Sequence, residues 1–272
     1  MRSLLYVPGN RLELLDKVGR SGPDVVVIDL EDAIPSDRKD GARAAVSDIL
    51  WSGRPKFNGR LLVRINAAGT AAYKADVAMC GRIIDRGDLD GVVLPKYERT
   101  EQLTALQEAL PFGAHLMVGL ESALGVADAR PLLAAGPQSV YFGAEDFIAD
   151  LGGRRTPGGT EVLYARSAVV LAAALAGVAA VDQAVVAIRD TEAFRRDAEL
   201  GRDLGYGGKI CLHPDQVAIA ADVFSPSLDE ILHARAVLAA AAHGVGMVDG
   251  VMVDAVHERI ARGVLARAGE TP

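Results

Sequence analysis

The chain has 272 residues, half of them hydrophobic and 24% charged, with a formal net charge of −7. Such totals suit one large globular core and exclude a disordered chain; they also argue against nucleic-acid binding, because no cationic excess exists to displace counterions from a phosphate backbone. An anionic small substrate stays compatible, since a few arginines and a metal focused in one cleft outweigh the global sign locally.

The chain opens MRSLLYVPGNR, with a strand expected over 3–7 and no apolar signal region, so a cytoplasmic protein is expected. Further strands are expected over 25–30 (VVVIDL), 61–65, 91–94 (GVVL), 115–120, 139–142, 183–187 and 209–212. Several are apolar without alternation, the pattern of strands buried on both faces in a parallel sheet covered by helices. The spacing between them predicts helices, among them 38–50, 100–110, 163–175 and 191–204. The longest apolar run, 168–181, is shorter than the ~20 residues of a membrane span and rich in alanine, so it reads as a buried helix and no membrane partner is expected. Two more helical stretches, 228–242 and 254–268, follow the last strand, separated by the glycine-rich HGVGMVDGVMVD. Eight βα units make the expected α/β fold a (β/α)8 TIM barrel over 1–224, with a C-terminal helical extension over 225–272. A doubly wound open sheet is the runner-up, but no GxGxxG turn follows the first strand. Cys80 and Cys211 lack CxxC spacing, so both are expected to be reduced, buried thiols.

A barrel carries its active site where strands end and βα loops begin. The polar residues there are 8–11, Asp29, Glu31, Asp32, Arg64–Asn66, Lys96, Glu121, Glu145, Asp146 and His213. Any one of them is compatible with a strand end that meets solvent. Together, Glu121 and Asp146 from neighbouring strands would converge near Arg64, and two such carboxylates require a cation. With no clustered His or Cys, this is a hard-oxygen pair that favours Mg2+, with Mn2+ as a substitute. Arg64 would supply a permanently charged donor for a substrate carboxylate or a developing enolate. In GAED, the main-chain N–H groups around Ala144, Glu145 and Asp146 could grip the same carboxylate, or simply open a helix with favourable acids. Alternation through DLED points Asp29 and Glu31 one way and Leu30 and Asp32 the other. One or two of these acids are expected to bond to Arg64 or to metal-bound water, and the rest to cap the next helix. His115 begins a strand on the opposite face, and His233, His243 and His257 fall in the tail. His213 either meets substrate or is a structural hydrogen-bonder. No Ser-His-Asp or Cys-His arrangement assembles, which argues against nucleophilic hydrolysis. The glycine-rich 152–159 and Arg11 are candidate contacts for phosphate groups.

With RSLLYVPGNR, VVVIDLEDAIP, LVRIN, GVVLPK, GLESALGV, YFGAEDFIADLGG, KICLHP and GMVDGVMVDAVHERIARGVLARA in this order, the sequence resembles the citrate lyase β-subunit-like family of the HpcH/HpaI aldolase superfamily, relatives of malyl-CoA and citramalyl-CoA lyases. The resemblance implies that Glu121 and Asp146 bind the metal and Arg64 the substrate. It implies that Asp254, in GVMVDAVH, reaches a neighbouring subunit's site as acid/base within a homotrimer or homohexamer, although its position alone reads as a helix N-cap. The implied activity is a Mg2+-dependent carbon–carbon lyase. It would cleave a citramalyl-, malyl- or citryl-type 3-hydroxyacyl thioester, on CoA or an acyl carrier, into an acetyl thioester and a small oxo acid by a retro-Claisen or aldol route. The alternatives are a class II aldolase acting on free 2-oxo acids, a malyl-CoA thioesterase, or a carrier-dependent citrate lyase β subunit.

Overall fold

The computed structural model describes residues 1–241 and 244–270. Eight parallel strands close into a barrel in chain order: β1 (Ser3–Pro8), β2 (Val25–Asp29), β3 (Arg60–Arg64), β4 (Gly91–Leu94), β5 (His115–Leu120), β6 (Ser139–Phe142), β7 (Ala179–Asp182) and β8 (Gly208–Cys211), with β8 returning to β1. Inward-facing Leu4, Val27, Leu62, Val93, Met117, Tyr141, Val181 and Ile210 fill the interior. Their chain neighbours, including Val26, Ile28, Val63, Val92 and Val118, are also fully buried, as expected beneath a ring of helices. Burial on both faces is why the strands read as unbroken apolar runs.

The helices are α1 (Leu15–Ser21), α2 (Lys39–Ser52), α3 (Tyr73–Asp85), α4 (Thr100–Ala109), α5 (Ala123–Ala127), α6 (Ala129–Ala134), α7 (Ala144–Asp150), α8 (Thr160–Ala176), α9 (Thr191–Leu204) and α10 (Pro214–Val223). None in the described residues is long and apolar enough to cross a membrane. Cys80 and Cys211 are free and buried.

The seventh strand departs from expectation: it spans Ala179–Asp182, and 183–187 lies in the loop that follows. The run 168–181 is therefore not one buried helix. Its first part completes α8, which stops at Gly177 in the left-handed region with φ 68°, and the strand begins two residues later. Val185 and Val186 carry the stronger local strand propensity, yet barrel pairing selects the alanines. Val140 pairs with Ala180 and Tyr141 with Val181, while Val186 is exposed.

Contacts divide the chain into two compact units, Met1–Ala221 and Asp222–Pro272. In the second, α11 (Leu228–Ala241) and α12 (Ala255–Arg267) enclose Ala234, Val237, Val253, Ala261 and Leu265. Between them the stretch expected to be a glycine-rich linker forms an antiparallel hairpin, β9 (Gly246–Val248) and β10 (Val251–Val253). Asp249 and Gly250 both have positive φ, 50° and 77°, as a two-residue turn between right-twisted strands demands. His243 and Ala242, the last residue of the expected helix 228–242, lie outside the described residues.

Candidate active site

The barrel register itself builds the first half of the site. Asp29 and Arg64, the last residues of β2 and β3, are paired across the sheet. Arg64 donates from Nε to Asp29 Oδ1 and from Nη2 to Asp29 Oδ2, each at 2.7 Å, a bidentate pair. Its Nη1 lies 2.9 Å from Glu31 Oε2 and 3.4 Å from Asp32 Oδ2, and its guanidinium stacks on the Tyr6 ring, 5.3 Å from the centroid. Asp29 also accepts the N–H groups of Glu31 and Ala33, so this one carboxylate anchors both the arginine and the turn after β2. Asp29 and Glu31 do face one way, towards Arg64. Asp32 turns the same way because β2 has ended at Asp29 and alternation no longer applies. Three of Arg64's five N–H donors are thereby hydrogen-bonded, two to Asp29 and one to Asp32, while Glu31 Oε2 lies against Nη1 as an ion pair.

The second half comes from β4, β5 and β6. Glu121 directly follows β5 and is 3% exposed. Its Oε1 accepts the Lys96 main-chain N–H at 2.7 Å and its Oε2 the Tyr141 hydroxyl at 2.8 Å. A carboxylate oxygen has two lone pairs, so each Glu121 oxygen retains one. Glycines make the room. A Cβ on Gly119, the register partner of Tyr141, would lie 2.3 Å from the Tyr141 hydroxyl, and one on Gly143 would lie 2.5 Å from Glu121 Oε2. Asp146 sits in the first turn of α7, half exposed, with the Lys96 ammonium 4.0 Å from its Oδ1. That ammonium also lies 2.6 Å from Glu31 Oε1 and 3.5 Å from Asp32 Oδ1.

Five acids, Asp29, Glu31, Asp32, Glu121 and Asp146, thus face two bases, Arg64 and Lys96. Burial raises the Glu121 carboxyl above its ordinary range and Asp146 adds to the shift, against the pull of Arg64. Burial likewise raises Asp146, opposed by Lys96 and reinforced by Asp32. Glu31 is pushed up to about 7, again chiefly by burial. Carboxylates so destabilised in the charged form are what a bound cation would relieve.

No group of three or more His, Cys, Asp or Glu residues capable of holding a metal occurs among the described residues. Glu121 and Asp146, two oxygen donors with lone pairs to spare, fit an ion that takes one or two protein carboxylates and leaves its other positions to water or substrate, which is the habit of Mg2+ and not of zinc.

Glu145 is exposed and pairs with Arg155 at 3.4 Å, and Ala144 is buried in the first turn of α7, whose N-cap Gly143 supplies no side-chain cap. His213 accepts the Asp215 N–H through Nδ1, a structural bond. Arg11 is held by Glu13 at 2.5 Å. The glycine-rich loop, with Arg155, Gly158, Val186, Arg196 and Leu200, lines a cleft of about 520 Å³ beside the end of β7. Asp254, in the second unit, caps α12: its Oδ1 accepts the N–H groups of Val256 and His257 and meets His257 Nδ1 at 2.8 Å. Sequence reasoning missed Tyr6 and Tyr141, because an aromatic residue inside a strand carries the same signal as core packing. Lys96 it noted only as one more polar strand end.

Residues 2–214 match the HpcH/HpaI aldolase/citrate lyase family. The chain is 44% identical to a citrate lyase subunit beta-like protein of Deinococcus radiodurans, covering 93% of this chain and 92% of that protein. It is 34% identical to a (3S)-malyl-CoA thioesterase of Cereibacter sphaeroides, over 98% of this chain and 94% of that one. Its fold superposes with a TM-score of 0.84 on the protein CitE of Mycobacterium tuberculosis solved with magnesium, acetoacetate and coenzyme A, at 32% identity, over 99% of this chain and all of the other.

Proposed function

Because the chain belongs to the HpcH/HpaI aldolase/citrate lyase family, we propose that it is a Mg2+-dependent carbon–carbon lyase. Its substrate is a 3-hydroxyacyl thioester of the citramalyl, malyl or citryl type, and its products are an acetyl thioester and an oxo acid. The observation that carries this reading is the pair Glu121 and Asp146, two carboxylates with coordination capacity to spare, across the barrel mouth from an arginine already fixed by Asp29. CitE of Mycobacterium tuberculosis, bound to magnesium with oxaloacetate or with coenzyme A and acetoacetate, supports the same ion and ligand classes here.

Glu121 and Asp146 hold the ion. When bound, Mg2+ supplies a Lewis acid that polarises the substrate's hydroxyl and adjacent carboxylate oxygens. Arg64 stabilises the charge that develops on the thioester enolate as the carbon–carbon bond breaks, through the N–H groups that Asp29 and Asp32 leave unbonded. Their geometry is fixed beforehand by Asp29, so little reorganisation accompanies that step. The main-chain N–H groups of Ala144, Glu145 and Asp146 at the start of α7 orient the substrate carboxylate. Asp254 of a neighbouring subunit transfers the proton to or from the methyl carbon of the acetyl thioester. That role requires an oligomer, taken here as a homotrimer or homohexamer, and the exposed Met247, Val251, Met252 and Ile260 of the second unit favour a covered interface.

A second reading, thioester hydrolysis, is favoured by the Cereibacter sphaeroides relative named (3S)-malyl-CoA thioesterase. Incubation with malyl-CoA and (S)-citramalyl-CoA separates the two. Glyoxylate or pyruvate with acetyl-CoA reports the lyase, and free CoA without an oxo acid reports the hydrolase. Turnover of free 2-hydroxy or 2-oxo acids instead would point to a class II aldolase. Turnover only when citrate lyase partner subunits are supplied would point to the carrier-dependent subunit. Asp146→Asn is expected to lower Mg2+-dependent turnover by at least about 10³-fold, the scale on which a preorganised charge stabiliser acts, with an unchanged circular dichroism spectrum. Wild-type turnover in that variant would remove the metal assignment.

A further inference from the structure

Lys96 stands two residues past β4 with φ 51°, in the left-handed region that an L side chain adopts uncommonly. This backbone turn lets one residue address both proposed metal carboxylates. The N–H donates to Glu121 Oε1 at 2.7 Å, while the side chain carries the ammonium to within 4.0 Å of Asp146 Oδ1. On the way the ammonium meets Glu31 Oε1 at 2.6 Å and Asp32 Oδ1 at 3.5 Å. Lysine is an unusual choice for the conformation, which glycine or asparagine would adopt with less strain. The position therefore calls for a long, positively charged side chain.

We propose that the Lys96 ammonium is a resident counter-cation of the acid cluster, competing with the divalent ion and holding its affinity down. The inference rests on the metal reading above. Without metal, Lys96 and Arg64 are the bases of the cluster. A divalent ion at Glu121 and Asp146 adds two positive charges within a few ångströms of the ammonium, which is then repelled from Asp146 and held by Glu31 and Asp32 alone. The ion binds weakly to the free protein and tightly once a substrate carboxylate brings its own charge. Lys96 is thus a positioning residue through its N–H and an electrostatic brake through its side chain. Removing the charge is expected to strengthen metal binding, the opposite of what deleting a supporting salt bridge ordinarily does.

The test is titration of the full-length protein with Mn2+, free ion being read by electron paramagnetic resonance, in wild type, Lys96→Met, Lys96→Arg and Asp146→Asn. The expected result is that Lys96→Met binds Mn2+ about tenfold more tightly than wild type, the order of the repulsion between a monovalent and a divalent cation a few ångströms apart at water-like dielectric. Lys96→Arg keeps the charge and stays within about threefold of wild type, and Asp146→Asn loses at least tenfold. Lys96→Gly, which accommodates the positive φ, replaces Lys96→Met if the latter's melting temperature falls, and the same tightening is expected of it. Equal or weaker binding by the uncharged variants, with Asp146→Asn still impaired, overturns the competition and leaves the metal site standing. Wild-type affinity in Asp146→Asn overturns the metal site and the inference together.

Discussion

Glu121 can present its carboxylate at the barrel mouth because two nearby positions carry no side chain. Gly119 leaves the space that Tyr141 fills to reach Oε2, and Gly143 leaves the space beside Oε2 itself. Gly143 has φ −101°, a conformation open to any residue, so the objection to a larger side chain there is steric and local. Gly143→Ala puts a methyl group 2.5 Å from both Cβ and Oε2 of Glu121 and must displace that carboxylate. The expected outcome is a fall in kcat of about 10²-fold, the scale of an ångström's misplacement, with a raised Mg2+ requirement. Steady-state rates measured across a Mg2+ series check this, and unchanged kinetics would mean that Glu121 has room to move. Glu121 and Arg64 were legible in the sequence because a charged residue at the end of an apolar strand breaks a pattern, and Asp146 because it opens the helix just past such a strand. Tyr6, Tyr141 and the two glycines were not, since each conforms to the strand around it and acquires its role only when the barrel closes.

At the scale of elements, legibility follows the same logic. Strands β1 to β6 and β8 announce themselves by short apolar runs. Strand β7 is hidden because Ala179 and Ala180 continue the composition of α8, and only the sheet register, Tyr141 against Val181, selects them. The hairpin β9–β10 was legible in principle: Asp249-Gly250 between VMV and GMV is a strong short-range turn signal, masked by the surrounding glycines. Helix α12 poses the sharper question, because Asp254 was open to two readings and its geometry admits both. Oδ1 takes the capping bonds, whereas Oδ2 takes none of them. The bonds from His257 and the helix N-terminus hold this carboxyl below its ordinary range, so it is ionised at neutral pH and able to accept a proton. Asparagine caps as well as aspartate but has no proton to exchange, while alanine does neither. Asp254→Asn is therefore expected to keep the wild-type melting temperature and lose about 10²- to 10⁴-fold in turnover, with Asp254→Ala losing both. Thermal melts paired with steady-state rates measure this; full turnover in the asparagine variant would reduce Asp254 to a cap.

At the scale of the whole molecule, the chain supplies two compact units. The second unit exposes Met247, Val251, Met252, Val256 and Ile260, each more than half accessible, along its hairpin and the adjoining turns of α12. Such a surface next to Asp254 is consistent with a tail that is covered in an assembly, and it makes the proposed sharing of residues between subunits open to direct test. Asp146→Asn spoils the proposed metal site of its own subunit but leaves its Asp254 intact, and Asp254→Asn does the reverse. If each site joins Asp146 of one subunit to Asp254 of the next in a closed ring, a one-to-one mixture reassembled from dissociated subunits contains about one quarter of sites with both residues intact. Two inactive preparations should then recover about a quarter of wild-type activity after mixing and reassembly, while a single chain carrying both substitutions, mixed with either, recovers none. Activity assays after a denaturation and refolding cycle, with size-exclusion chromatography to confirm the assembly, measure the recovery. No recovery from correctly reassembled mixtures would place both residues in the same subunit's site, leaving the apolar tail an interface without a catalytic part.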